Sequence, residues 1–117
     1  KGNACVAKPK GCPPGWAPQS DGVCYRSFDM GGEGHRSISF DADPSYEVRA
    51  RYDFRKHPRY SDGDYTISSN FGFGGGQGGI RGSHSRSWGP GSGRSTYNFN
   101  ARQNDGHGTL HVWMKTT

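Results

Sequence analysis

The sequence predicts an all-β fold, a compact antiparallel β-sandwich or open barrel of about five to six strands. Apolar and polar residues alternate with a period of two over long runs, which is the mark of a half-buried strand. No window of 11 or more residues carries helical spacing. Turn signals, with Asp105-Gly106 the strongest, divide the alternating runs.

The elements follow in chain order. The first 28 residues are rich in proline and cysteine (Pro9, Pro13, Pro14, Pro18, Cys5, Cys12, Cys24) and read as an irregular segment, stapled to the body if Cys12 and Cys24 pair. Antiparallel strands are expected within 36–73. Ile38, Phe40 and Ala42 alternate with Ser37, Ser39 and Asp41. After Pro44, the run Tyr46, Val48, Ala50, Tyr52, Phe54 alternates with Glu47, Arg49, Arg51, Asp53, Arg55, the cleanest strand in the chain. A break at Ser61-Asp62-Gly63-Asp64 leads to Tyr65, Ile67, Ser69, Phe71 and Phe73 on one side of a further strand. Residues 74–94 form a basic, glycine-rich stretch with nine glycines, three arginines and no acid. Such a length without strand signals predicts a mobile loop, functional or disordered. Residues 95–116 read as a hairpin closed at Asp105-Gly106, pairing Ala101 with Leu110, Phe99 with Val112 and Tyr97 with Met114. That register puts all six apolar side chains on one face.

Composition bounds the function classes. A length of 117 residues points to one domain. Leu, Ile, Val and Phe total only 14 residues, so six Tyr and three Trp must supply much of the core. No stretch approaches a transmembrane span. Clustered cysteines in a small chain that opens without methionine favour an oxidising, secreted, extracellular setting. Three cysteines leave one over, to stay free or to link a dimer. Their spacings fit no zinc pattern, and His107 and His111 sit about 13 Å apart on a strand, so no metal is expected. No cofactor motif is present either. The net charge of +5 gives a mild preference for polyanions, nucleic acid among them. Residues 65–117 hold five basic groups against one acid, which places the excess charge in the loop and the C-terminal region.

The stretch CPPGWAPQSDGVCY, residues 12–25, resembles the opening of C-type lectin-like domains. The resemblance covers 14 residues and ends there, because no later cysteine and no Glu-Pro-Asn or Trp-Asn-Asp calcium motif follows. It is read as a disulfide-stapled hairpin.

Two residue sets carry candidate chemistry. The polar face of the C-terminal hairpin collects Trp113, His111, Asn98, Asn100 and Arg102, an aromatic plane with hydrogen-bonding neighbours that suits a sugar ring or a nucleobase. Trp88, Arg86 and His84 of the glycine-rich loop would close over it as a flap, with Arg81 and Arg94 beside them. The second set is Glu47, Arg49 and Arg51 with His111. If the two strands are neighbours, this set matches the base, acid and phosphate-binding arginines that small microbial ribonucleases place on a concave sheet. The leading expectation is a secreted, lectin-like, non-enzymatic protein that binds carbohydrate or another polar or anionic extracellular ligand, in defence, toxicity or adhesion. A ribonuclease-like phosphodiesterase and a membrane-active antimicrobial protein are the alternatives.

Overall fold

The computed structural model describes residues 12–20, 22–70, 74–87 and 91–115. Ten strands run in chain order: β1 Ala17–Ser20, β2 Val23–Gly31, β3 Gly34–Asp41, β4 Glu47–Lys56, β5 Gly63–Ser69, β6 Gly74–Ile80, β7 Ser83–Ser87, β8 Gly91–Ser92, β9 Thr96–Asn104 and β10 Gly106–Lys115. They form two antiparallel sheets packed face to face as a sandwich. One has five strands in the order β1-β2-β10-β4-β7, with the two-residue β8 also pairing β4; the other has four, β3-β9-β5-β6. No helix occurs among the described residues.

The period-two runs become strands because each hides one side. Val48, Ala50, Tyr52 and Phe54 of β4 are buried while Arg49, Arg51 and Arg55 stay exposed. Tyr97, Phe99 and Ala101 of β9 face Leu110, Val112 and Met114 of β10 across the sandwich, all six buried. Aromatic rings replace the missing aliphatics. Phe40 lies 5.1 Å from Trp16, 6.0 Å from Phe28, 5.6 Å from Tyr97 and 6.0 Å from Phe99, tying both sheets together. Each such pair adds about 0.5–1.5 kcal/mol beyond the area it buries.

One polar node lies inside this core. The Tyr52 hydroxyl donates to Gln103 Oε1, and Gln103 Nε2 donates to the Met30 carbonyl at 2.7 Å. Burial pushes the Tyr52 phenol well above its ordinary range, so it remains a donor. Tyr52 lies over Gly108, where a Cβ would overlap its hydroxyl. The Cys12–Cys24 disulfide forms as expected and anchors the start of the described chain to β2.

Three sequence expectations are corrected. The Asp105-Gly106 step is a corner between sheets, and no hairpin closes there: β9 pairs β3 and β5, whereas β10 pairs β2 and β4. A two-residue type I′ turn needs positive φ at both positions. Asp105 has φ 58°, but Gly106 already pairs with Lys56 as the first residue of β10. The register Ala101–Leu110 is accordingly absent, although the apolar sets it grouped do share the core.

The described part of the glycine-rich stretch, residues 74–87 and 91–94, is no open loop either. It contributes β6, which pairs β5, and β7 and β8, which pair β4. Its backbone amides find sheet partners that its side chains gave no sign of. Finally, the end of the segment read as irregular, residues 23–28, belongs to β2, which runs nine residues to Gly31.

Candidate functional site

The outer face of the five-stranded sheet carries the densest chemistry. In β10 the residues between the buried ones, Thr109, His111, Trp113 and Lys115, point away from the core. The same alternation turns out Tyr25, Ser27 and Asp29 of β2 and Glu47, Arg49, Arg51, Asp53 and Arg55 of β4. Register then decides who meets whom. Trp113 stands between Tyr25 and Arg49, and His111 between Ser27 and Arg51. The condition set by the sequence, that the Glu47–Arg55 strand should neighbour the strand of His111, is met.

Three rings lie side by side here. Tyr25 is 5.5 Å from Trp113 and 5.9 Å from His111, and His111 is 6.2 Å from Trp113. The Tyr25–His111 and His111–Trp113 planes differ by 17° and 27°, so these rings approach a common tilt. All three are half-buried, which leaves part of each ring in reach of a ligand.

A hydrogen-bond chain fixes two of them, Tyr25 and His111. Asp53 Oδ2 lies 3.0 Å from His111 Nε2, and Tyr25 Oη lies 2.6 Å from His111 Nδ1. A carboxylate can only accept, so Nε2 donates to Asp53, and the second ring nitrogen, Nδ1, bonds the Tyr25 hydroxyl. Asp53 Oδ1 in turn accepts from Arg51 Nε at 2.9 Å and from the Ser85 hydroxyl. Partial burial alone would raise the Asp53 carboxyl. The hydrogen bonds from Ser85 and Arg51, with the charges of Arg51 and His111, outweigh it and hold the group below the usual carboxylate range. Further along β10, His107 Nε2 meets Asp29 Oδ1 at 2.8 Å. The Gly31 amide, and beside it His107, lower the Asp29 carboxyl as well.

Two hollows open on this face and share Arg51. One, of about 600 Å³, is lined by Glu47, Arg49, Arg51, Trp113 and Lys115. The other, of about 720 Å³, is lined by Arg51, Asp53, His84, His107 and His111. Among the described residues no group of three or more His, Cys, Asp or Glu is placed to hold a metal, and no helix is long and apolar enough to cross a membrane.

The expected sites are partly gathered and partly dispersed. Trp113, His111, Glu47, Arg49 and Arg51 share this face. Asn98, Asn100 and Arg102 do not, because β9 belongs to the other sheet and its outer side faces the opposite way. There Asn100 accepts from Ser37 at 2.6 Å, and the Asn98 amide donates to Asn70. His84 turns toward the core from β7 and lies 2.8 Å from the Tyr65 hydroxyl, at the rim of the second hollow. Arg86 pairs through its backbone with Tyr52. Trp88 lies outside the described residues, as does Cys5. The proposed flap is therefore largely an edge of the sheet, with β7 as its backbone.

Sequence reasoning missed Tyr25, the ring that completes the row. Its signal was available in the alternation of Tyr25, Ser27 and Asp29 with Cys24, Phe28 and Met30, which the cysteine and proline content of the segment obscured. The cationic surface likewise comes mainly from β4, with four basic groups against two acids, although residues 31–64 as a whole hold six basic groups against seven acids.

The sequence matches no protein-family model and no curated protein. Solved structures match it only distantly. A family GH115 4-O-methyl-α-glucuronidase with specificity for decorated arabinogalactans matches at 12% identity and a TM-score of 0.44, over 81% of this chain and 14% of its own. Dimeric latent PorU from Porphyromonas gingivalis matches at 12% identity and 0.44, over 91% of this chain and 14% of its own. A protein of infectious bursal disease virus, Gx strain, matches at 8% and 0.40, over 82% and 33%. The chain spans a third or less of each of these, and none of them bears on what it does.

Proposed function

We propose that the chain is a secreted, lectin-like binding protein that takes carbohydrate on the outer face of its five-stranded sheet, in a defence, toxin or adhesion role. The observation that supports this is the half-buried row Tyr25–Trp113–His111, with Tyr25 and His111 held by hydrogen bonds, beside two hollows that meet at Arg51. A sugar ring presents an apolar C–H face and a rim of hydroxyls. The ring row offers the first a flat partner, and Arg51, Glu47 and Ser87 at the hollow offer the second donors and acceptors. Side chains fixed before binding lose little entropy on binding, which favours recognition by a small surface.

The test is a glycan array followed by titration of each hit against wild type and Trp113→Ala. Saturable binding that falls at least ~10-fold in the variant is expected, a change of about 1.4 kcal/mol. An array without saturable binding would remove the proposal.

A second reading, a ribonuclease-like phosphodiesterase, draws on one observation: His111, Arg51, Arg49 and Glu47 do lie on a single face. Against it, both nitrogens of His111 are engaged, by Asp53 and Tyr25, and a general acid or base must reach the proton it transfers. RNA cleavage that disappears in both His111→Ala and Glu47→Gln would favour this reading over the binding one.

A further inference from the structure

We infer that the ligand of this face is a linear glycan bearing carboxylate or sulfate groups, its acid groups received by Arg49, Arg55 and Lys115. The inference rests on the carbohydrate reading above and narrows its ligand class.

Unmatched positive charge is the starting point. Among the described residues the ion pairs are Arg51–Asp53, Arg81–Asp62, His107–Asp29 and His111–Asp53. Arg49, Arg55 and Lys115 belong to none of them, yet all three stand exposed on the same face as the ring row. The carboxylate nearest in register to Lys115 is Glu47, directly opposite it on β4, and even these two make no ion pair. Asp53 already satisfies Arg51, Ser85 and His111 and has little left to offer Arg55. Cations that serve the sheet itself commonly do so by pairing with a carboxylate across strands. Here the cross-strand partners of Arg49 and Arg55 are Trp113 and His107 on β10, and Ser83 flanks Arg55 on β7.

Spacing sets the shape of the ligand. Arg49 and Arg55 are six residues apart on one strand, about 20 Å at ~3.3 Å per residue, and Lys115 lies beyond Arg49 at the Glu47 end. A single sugar cannot reach both arginines. An extended chain lying along β4 can, and it would pass Trp113 and the Arg51 junction of the two hollows on the way. Guanidinium groups at both ends suit planar or tetrahedral oxyanions, which they bind through two parallel N–H donors.

The carboxylates on the same face distinguish a glycan from a nucleic acid. Glu47, Asp53 and Asp29 are interspersed among the cations. A strand with a phosphate at every unit would be repelled at each of them. A glycan spaces its acid groups between neutral hydroxyls, and a hydroxyl can donate to Glu47. The alternation of charge along β4 fits that alternation along the ligand.

The test uses matched pairs of probes on the full chain: polygalacturonate against its fully methyl-esterified form, and dextran sulfate against dextran, with single-stranded poly(U) as the nucleic-acid arm. The acidic member of at least one pair should bind ~10-fold or more above its neutral partner, and the Arg49→Gln/Arg55→Gln double variant should lose most of that margin. Melting of the double variant at the wild-type temperature would show that the loss is local. Equal binding of acidic and neutral members would overturn the inference and leave the carbohydrate reading in place. So would a double variant that holds acidic glycan as tightly as wild type. Poly(U) bound more tightly than either acidic glycan would overturn it in favour of nucleic acid. If no glycan binds, charged or neutral, both readings fall.

Discussion

The outer faces of the two sheets grow from the same alternation and end chemically unlike each other. On the four-stranded sheet, β3, β5 and β9 turn out Ser37, Ser39, Thr66, Ser68, Asn98 and Asn100. Several side chains on this face bond across strands: Ser37 with Asn100, Thr96 with Asp41, and Asn104 with Asp64. The hollow there measures about 390 Å³ and has no ring in its lining. On the five-stranded sheet, long and aromatic side chains meet across strands and leave three cations without partners. Arg102 aside, the first face bonds in good part within itself, and the second has bonding capacity to spare. Both sheets bury an inner face, with Val48, Tyr52, Leu110 and Val112 on one and Tyr65, Ile67, Tyr97 and Phe99 on the other.

The comparison can be broken first at what the faces share. Phe40→Ala should cost about 3–5 kcal/mol, because it empties the ring cluster between both sheets, and chemical denaturation would measure it. A loss below about 1 kcal/mol would mean that the two sheets do not depend on a common core. Removing the staple by Cys12→Ala should cost about 3 kcal/mol, the usual effect of opening a loop of this size. Its local effect should fall on β1 and β2, read as faster amide exchange at Tyr25 than at Asn98.

Asp53→Asn should cost about 1 kcal/mol after allowance for solvent, since the carboxylate side chain is 34% exposed and its bonds are charge-assisted. It also carries a pH signature. The native carboxyl lies below its unfolded value of about 3.9, so its stabilising effect is present above that value and is lost as pH falls through the native one. The wild-type advantage over the variant should be constant near neutrality and vanish in acid. An advantage that grew on acidification would reverse the assignment. At the quiet face, Ser37→Ala should change stability by no more than about 0.5 kcal/mol and leave glycan binding untouched. A binding defect in that variant would move the site to the wrong sheet.

Much of the fold could be read in the sequence, because burial of one side of a strand leaves a trace at every second residue. β3, β4 and β5 were legible on that ground, as was the inward set of Tyr97, Phe99, Ala101, Leu110, Val112 and Met114. Pairing leaves no such trace. An Asp-Gly step can close a hairpin or turn a corner, and the choice depends on which strands compete for the edges of β9 and β10. β6 was invisible for another reason: five of its seven residues are glycine, so nothing alternates. The candidate site was half legible. Trp113 and His111 were found on the outward side of their strand, and Arg49 and Arg51 on theirs. Tyr25 was hidden in a segment whose prolines and cysteines suggested irregular chain, and Asn98 was placed with them only because the corner was read as a hairpin.

The position of β10 has a consequence for how the protein is made. It lies between β2 and β4, and the Tyr25–His111 hydrogen bond joins residues 86 positions apart. A chain leaving the ribosome therefore holds β2 and β4 without their common neighbour until residues 106–115 have emerged. Pairings of such long sequence separation close slowly, because the entropy of the intervening chain is lost before the contact forms. Until then the inner faces of both strands stay open to wrong partners. The ring row, assembled from the first and last strands of that trio, is among the last features to form, so its binding activity would report completed folding.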